Sequence, residues 1–173
     1  MAKPSKPKKK PKPRPLPATC PCGSKRPYSD CCGALHAGSR PAANAVELMR
    51  SRYAAFSVGD ADYLWRTLHS QHEARAGDPA AYAQSVQHAA RTTRYRRLRV
   101  LDTRPVDATG VAQVLYYAEI TAGKLDRSIV ELSTFAEEEG QWRYLAGTAR
   151  AANTLAHGPD DLSIDHWDCD HAH

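Results

Sequence analysis

Four of the five cysteines in this sequence lie close together, as two pairs that flank an eight-residue loop. The first pair is Cys20 and Cys22, and the second is Cys31 and Cys32. Four thiolates suit a tetrahedral structural zinc site, and iron is the reserve because it also accepts four thiolates. Since each end of one short loop supplies two ligands, closing the loop costs little entropy and metal binding can fold the segment. The spacing therefore predicts one metal ion, Zn²⁺ first, bound by these four side chains.

The same cysteines are compatible with three other arrangements. Disulfides are one, but the first 17 residues lack the apolar region of a secretory signal, and a reducing compartment keeps thiols free. Four reduced and buried cysteines are another, although the segment 18–40 has too few apolar residues to form a core around them. In the third, His36 replaces Cys32 as the fourth ligand.

A second group of chemically capable residues is spread over the later part of the chain: Trp65, His69, Glu131 and Ser133. A glutamate and a histidine in a partly apolar cavity could exchange protons, since burial raises a carboxyl pKa and histidine titrates near neutrality. The competing interpretation is core packing, with Glu131 in an ion pair with Arg52. The sequence has no nucleophile elbow, phosphate-binding glycine loop or His-Glu-x-x-His motif, so we predict a binding protein before an enzyme.

Positive charge is concentrated at the N-terminus of this 173-residue chain, whose net charge is +5. Residues 1–17 contain seven basic residues, six prolines and no acidic residue, which is typical of a disordered arm. Such an arm could solubilise the protein, or contact RNA or a ribosome through phosphates. The stretch Arg91–Arg99 could extend a nucleic-acid-binding surface, although charged edge strands also prevent aggregation. In a regular strand, Arg97 and Arg99 share a face with Tyr95.

Several classes of protein are disfavoured by composition. No segment approaches the roughly 18 consecutive apolar residues of a membrane span, and no secretory or organelle-targeting signal is present in the first residues. We therefore expect a cytoplasmic protein, in which closely spaced cysteines are reduced and usually bind a metal. The pattern indicates no particular oligomeric state.

Hydrophobic periodicity changes along the chain from helical to strand-like. Between Pro41 and Ala90, apolar residues recur at three- and four-residue spacings and predict three helices. Four runs of β-branched and aromatic residues then predict strands joined by hairpins. These strands are Tyr95–Thr103, Val111–Ile120, Leu125–Ala136 and Gln141–Thr148. Helices followed by consecutive antiparallel strands favour the α+β fold class.

Composition divides the chain into four regions. They are a disordered Lys/Pro-rich arm (1–17), the metal-binding segment (18–40), an α+β domain (41–150) and an acidic His/Asp-rich tail (151–173). We expect the metal-binding segment and the domain to be separately stable, because residues 41–150 contain both the helices and the strands that a core needs. We expect the tail to be mostly solvated and disordered, since the spacing of its His and Asp residues matches no defined site.

The segment Cys20–Cys32, with the sequence CPCGSKRPYSDCC, resembles the SEC-C motif, a zinc-binding segment also found at the tail of the SecA preprotein translocase motor. The stretches 48–56, 131–135 and 140–144 resemble the YchJ-like family of bacterial proteins. This resemblance implies a SEC-C segment followed by a cone similar to nuclear transport factor 2 (NTF2-like), with about three helices packed on a curved four-stranded antiparallel sheet. By analogy with the translocase tail, it implies a docking or adaptor module for a protein partner, such as an export chaperone, or for ribosomes.

Two positions depart from the family resemblance. Some relatives carry a second SEC-C motif at the C-terminus, where this chain has only Cys169. Within 114–120 the family usually has an acidic residue, and Leu115 stands at that position here. The leucine argues against a polar function that depends on that carboxylate.

Overall fold

The computed structural model describes residues 15–155 and 158–167. Most of the predicted N-terminal arm and Cys169 lie outside these residues. Within them, no helix has the length and apolar character that crossing a bilayer requires.

Four helices precede the sheet. They are α1 (Cys32–His36), α2 (Ala45–Val58), α3 (Ala61–Arg66) and α4 (Pro79–Thr92), with a short 3₁₀ helix at Glu73–Ala76. The helix α1 lies in the metal-binding segment, and the other three are the helices predicted from the apolar spacing. Side-chain oxygens of Asn44, Asp60 and Asp78 accept backbone N–H groups at the starts of these three helices. Gly59 ends α2 with a left-handed φ of 80°.

The strands form one antiparallel sheet with the order β1-β2-β4-β5. They are β1 (Arg94–Arg104), β2 (Val111–Ala122), β3 (Leu125–Asp126), β4 (Ile129–Glu138) and β5 (Gln141–Ala151). The predicted α+β class is confirmed, but the predicted third strand divides, so the sheet has five strands instead of four. The division occurs at Arg127 and Ser128, where the Arg127 N–H donates to the Ile120 carbonyl at 2.8 Å and the Ser128 Oγ accepts from the Ile120 N–H at 3.2 Å.

An irregularity in β1 changes which side chains face the helices. The pairing of β1 with β2 shifts between Tyr95 and Arg97, and an extra residue of this kind bends and twists a strand. Tyr95 packs edge-on against Tyr53 of α2, with ring centroids 5.4 Å apart, and the buried Leu98 packs on the same side of the sheet. Arg97 and Arg99 lie on the opposite face, against Glu119 and Tyr117 of β2. The expectation from simple alternation that both arginines share a face with Tyr95 is therefore wrong.

The main core lies between helices α2–α4 and the inner face of the sheet. Phe135 from β4 and Leu64 from α3 are fully buried there, and Leu48 and Val114 are nearly so. Of the apolar residues that recur at three- and four-residue spacings along α2, Met49 and Tyr53 are buried and Val46 and Phe56 are half-buried. Apolar spacing thus identified the face of α2 that packs on the sheet.

The described part of the C-terminal tail forms a short helix, α5 (Ile164–Trp167), on the outer face of the sheet. Ile164 and Trp167 are only 4% and 2% exposed, and they pack on Leu115 and Val130. The expectation of a solvated, disordered tail is therefore wrong for residues 158–167. The reason is that the outer face of the sheet is itself apolar, so burying these two side chains offsets the entropy of ordering the segment.

Polar contacts hold α5 in place. The backbone N–H of Ile164 donates to the Asp102 carboxylate at 2.9 Å. The Arg150 guanidinium lies 4.0 Å from the centre of the Trp167 ring and donates to the Trp167 carbonyl at 2.8 Å. Two ion pairs add to these contacts, Arg99–Asp160 and Arg104–Asp165.

The position of Leu115 follows from this arrangement. It lies on the outer face beneath α5 and is fully buried, whereas the next residue, Tyr116, lines the inner face. Because adjacent residues of a strand point to opposite faces, the leucine leaves the polar groups of the inner face unchanged.

Candidate functional site

The four cysteines of the predicted metal site meet at one point. Their sulfur atoms all lie within 4.8 Å of one another, and the Cys22 and Cys31 sulfurs are 3.6 Å apart. Tetrahedral zinc with Zn–S bonds of about 2.3 Å would place its sulfurs about 3.8 Å apart. Cys20, Cys22 and Cys32 are buried, and Cys31 is half-buried. Four sulfur donors at these separations could hold one metal ion.

Two glycines allow the chain to bring the thiols together. Gly23 follows the first pair with a φ of 83°, a left-handed conformation that glycine adopts without steric cost. The Cys20 N–H donates to the Arg26 carbonyl at 2.9 Å and closes the first turn. Gly33 follows the second pair, where an added Cβ would lie 2.6 Å from the Tyr28 carbonyl oxygen. Gly33 therefore permits a close approach that any larger residue would prevent.

The pKa values of the cysteine thiols are shifted in different directions. Hydrogen bonding between Cys20 and Cys22 lowers the pKa of Cys22 and raises the pKa of Cys20 to about 11. Hydrogen bonds from Cys20 and Cys22, followed by burial, also raise the pKa of Cys32. These shifts favour a thiolate at Cys22, and a divalent cation would supply the positive charge that favours deprotonation of Cys20 and Cys32.

His36 is engaged elsewhere and is a poor candidate for the fourth ligand. Its Nε2 donates to the Ser51 carbonyl at 2.9 Å, which leaves Nδ1 to accept the Tyr28 hydroxyl at 2.6 Å. The ring also packs on Tyr63, with ring centroids 4.4 Å apart. Since both ring nitrogens already have partners, the geometry favours Cys32 over His36 as the fourth ligand.

We expect His36 to be neutral at physiological pH. Because its burial disfavours the protonated form, the folded state should lose stability in acid. Burial is the main effect that lowers its pKa below 6.5, and Arg66 acts in the same direction. Because the unfolded chain takes up this proton more readily, the free energy of unfolding should fall as the pH drops below about 6.5. An NMR titration of the imidazole should place its midpoint below that value, and a higher midpoint would contradict the neutral assignment.

The metal-binding segment is packed against the α+β domain. The Arg50 Nη1 of α2 donates to the Cys22 carbonyl at 2.8 Å, and the Arg66 Nη2 of α3 donates to the Leu35 carbonyl at 3.0 Å. Leu35 belongs to the main core and is 3% exposed, while Ala54 of α2 packs against the cysteines. The two regions that the sequence suggested as separate units therefore share buried contacts.

The four residues of the predicted pocket occupy three different places. Glu131 and Ser133 line a cavity of about 370 Å³ between the helices and the inner face of the sheet. Trp65 instead packs against a tyrosine of α4, and the His69 ring lies 4.0 Å from a carboxylate at the end of β4. The histidine that lines the cavity is His72.

Arg52 binds neutral partners. Its Nη1 donates to the Leu64 carbonyl at 2.8 Å and to the Thr67 Oγ1 at 2.6 Å, and its guanidinium carbon lies 4.5 Å from the centre of the Tyr144 ring. No salt bridge joins Arg52 to Glu131 in the part of the chain that the structure describes. The prediction of an Arg52–Glu131 ion pair is therefore wrong, because the Arg52 guanidinium donates to Leu64 and Thr67 instead.

His72, Tyr82 and Tyr95 are among the cavity residues that the sequence analysis did not identify. Tyr82 could have been found, since it precedes the buried Val86 by one helical turn of α4. His72 precedes a 3₁₀ helix that has no apolar periodicity, and the position of Tyr95 depends on the shift in β1.

Comparison with known proteins gives two matches to family models. Residues 44–147 match the model described as YchJ, middle NTF2-like domain. Residues 17–34 match the model of the SEC-C motif. The first range contains the cavity residues of the helices and of the central strands, and the second contains both cysteine pairs.

Two solved structures of bacterial proteins that contain a SEC-C motif are similar to this chain. A SEC-C motif containing protein from Rhodopseudomonas palustris, known from a solution structure, is 33% identical with a TM-score of 0.64, over 76% of this chain and 98% of that chain. A second, from Psychrobacter arcticus, is known from a crystal structure. It is 26% identical with a TM-score of 0.63, over 74% of this chain and 80% of that chain.

Proposed function

The chain belongs to the family with the YchJ middle, NTF2-like domain, and from this premise we propose that its SEC-C segment is a zinc-dependent docking module. The observation that carries the proposal is the convergence of four sulfur atoms within 4.8 Å. Cys20, Cys22, Cys31 and Cys32 would hold the metal, with Zn²⁺ first and iron as the reserve. Four protein ligands leave no coordination position for a substrate, so the metal would be structural.

The exposed surface of the module supports an acidic protein as the partner. Lys25 and Arg26 are exposed at the tip of the loop between the two cysteine pairs, while Tyr28 and the cysteines pack toward the domain. A basic tip on a metal-organised loop favours a partner with an acidic surface, as complementary charge speeds encounter and selects partners. We place this function in the cytoplasm, where reducing conditions would keep the thiols available for the metal.

The test is affinity capture from a bacterial lysate with the full chain and two double variants. The variant Lys25→Glu/Arg26→Glu reverses the charge at the tip and leaves the thiols intact. The control Lys124→Glu/Arg127→Glu makes the same change in charge at exposed positions on either side of β3. We expect an acidic protein to be captured by the wild type and the control, and to be lost with the tip variant.

Elemental analysis and ribonuclease treatment complete the experiment. We expect about one equivalent of zinc in all three proteins, and neither metal nor partner in the variant Cys31→Ser/Cys32→Ser. Partner capture that persists in the tip variant would contradict docking through this loop. Capture that disappears after ribonuclease treatment would indicate RNA or a ribosome, contacted through the basic arm or the Arg91–Arg99 region, in place of a protein.

A further inference from the structure

The inner cavity is large for the interior of a small domain. It has a volume of about 370 Å³ between α2, α4 and the inner face of the sheet, and tyrosine and phenylalanine side chains form much of its wall. Native interiors are close-packed, and voids larger than a water molecule are few. A cavity of this size lies within the usual range of small-molecule sites. The fold therefore contains a partly open cavity that a ligand can occupy.

A polar cluster lies on the sheet side of this cavity. The Ser133 Oγ donates to the Glu131 Oε1 at 2.7 Å, and the Tyr144 hydroxyl donates to the same oxygen at 3.0 Å. Gly147 lies opposite Ser133 on β5, and a Cβ there would lie 2.6 Å from this oxygen. The lack of a side chain at Gly147 thus makes room for the cluster. The carboxylate can still accept another donor, because it has about four acceptor sites.

Charge within the lining is balanced. Arg52 is 6% exposed and lies against Tyr144, so the cavity wall contains one positive and one negative side chain, Arg52 and Glu131. Burial raises the pKa of Tyr116 and of Tyr144, which keeps both phenols neutral. A charged ligand would be attracted by one of the two ionic side chains and repelled by the other, so no net attraction would offset the loss of its hydration. The lining therefore favours a neutral ligand.

The Tyr53 hydroxyl is a buried donor that lacks a hydrogen-bond partner among the described residues, which is independent support for a ligand. The Tyr53 side chain lines the cavity and is 5% exposed. Buried polar groups in native proteins are nearly always hydrogen-bonded. Burial also raises the pKa of this phenol, so the hydroxyl keeps its proton and can donate it to an acceptor. A ligand oxygen would satisfy this donor.

We propose that the cavity binds a neutral, mainly aromatic small molecule through two polar contacts. The Tyr53 hydroxyl donates to a carbonyl or ether oxygen of the ligand, and Glu131 accepts a hydroxyl or amide N–H. The aromatic walls, with Phe56 and Phe135 among them, pack against the ring. This site goes beyond the docking function, and it uses no residue of the metal-binding segment.

The test measures three probes of similar size on the metal-loaded full chain: acetophenone, 4-ethylphenol and ethylbenzene. NMR titrations give their dissociation constants. We expect acetophenone and 4-ethylphenol to bind about tenfold more tightly than ethylbenzene, because each adds one hydrogen bond to the same apolar contact. Tyr53→Phe should weaken acetophenone about tenfold and leave ethylbenzene unchanged. Glu131→Leu should weaken 4-ethylphenol by a similar factor.

Two further variants keep the test decisive. Tyr117→Phe removes a hydroxyl from the outer face of the same sheet and should change no probe. Ala118→Leu fills part of the cavity and should weaken all three probes. Tyr53→Phe should keep or raise the melting temperature, since it removes a buried hydroxyl that has no partner. The proposal is overturned if the wild type binds no probe saturably, or if Tyr53→Phe binds acetophenone as tightly as the wild type does.

Discussion

Removal of the metal with a chelator is expected to destabilise the entire folded chain, including the α+β domain. The cysteines pack on Ala54 of α2. Leu35 lies three residues after Cys32 and is 3% exposed in the main core. Loss of the metal should release the loop and with it the buried Leu35 side chain. We expect the free energy of unfolding of the domain to fall by about 2–5 kcal/mol, the usual cost of losing one large core side chain.

Urea unfolding followed by circular dichroism, with and without chelator, measures this effect. Thiol titration in the same samples should show that the cysteines become reactive when the metal is removed. The matched control is Cys169→Ser, which removes the one cysteine that is not among the four predicted ligands and should leave metal content and stability unchanged. Equal unfolding free energies with and without metal would show that the segment and the domain are separate units, as the sequence alone suggested.

The substitution Trp167→Ala is expected to cost about 3–5 kcal/mol, the range for truncating a buried tryptophan. Trp167 is 2% exposed, and it packs on the outer face of the sheet against Leu115 and Val130. The change would also remove the contact between its ring and the Arg150 guanidinium, 4.0 Å away. Thermal and urea unfolding of the variant should give the size of the loss.

The neighbouring substitution His166→Ala is a suitable control, because His166 is exposed on the same helix. It should change the free energy of unfolding by less than about 0.5 kcal/mol, as expected of an exposed position. A loss below about 1 kcal/mol for Trp167→Ala would mean that α5 contributes little to the fold. A large loss would establish residues 158–167 as part of the domain, which then extends beyond residue 150.

Several features of the candidate sites follow from local spacing and were predicted from the sequence. The short loop between the cysteine pairs limits how far apart the thiols can be, and the structure places all four within 4.8 Å. Alternation along β4 puts Glu131, Ser133 and Phe135 on one face, and all three line the cavity. The start of α3 likewise depends on residues only three positions apart, since the Asp60 carboxylate accepts the Tyr63 N–H.

Other features depend on contacts between residues that are far apart in the chain. The hydrogen bonds of His36 to Tyr28 and to Ser51 decided that its ring nitrogens are unavailable to a metal. The position of Tyr95 beside Tyr53 required the shift in the pairing of β1 with β2, which strict alternation does not anticipate. None of these contacts leaves a periodic signal.

By itself, the sequence determined the composition of the cysteine cluster, the three main helices and the α+β class, because spacing and periodicity act over a few residues. Only the tertiary structure decided that α5 covers the sheet, that Arg52 binds Leu64 and Thr67 instead of Glu131, and that the Tyr53 hydroxyl is buried with no hydrogen-bond partner among the described residues. Each of these outcomes is a choice among several chemically acceptable partners. Packing of the whole chain makes that choice, since the free energy of a buried contact depends on every group that surrounds it.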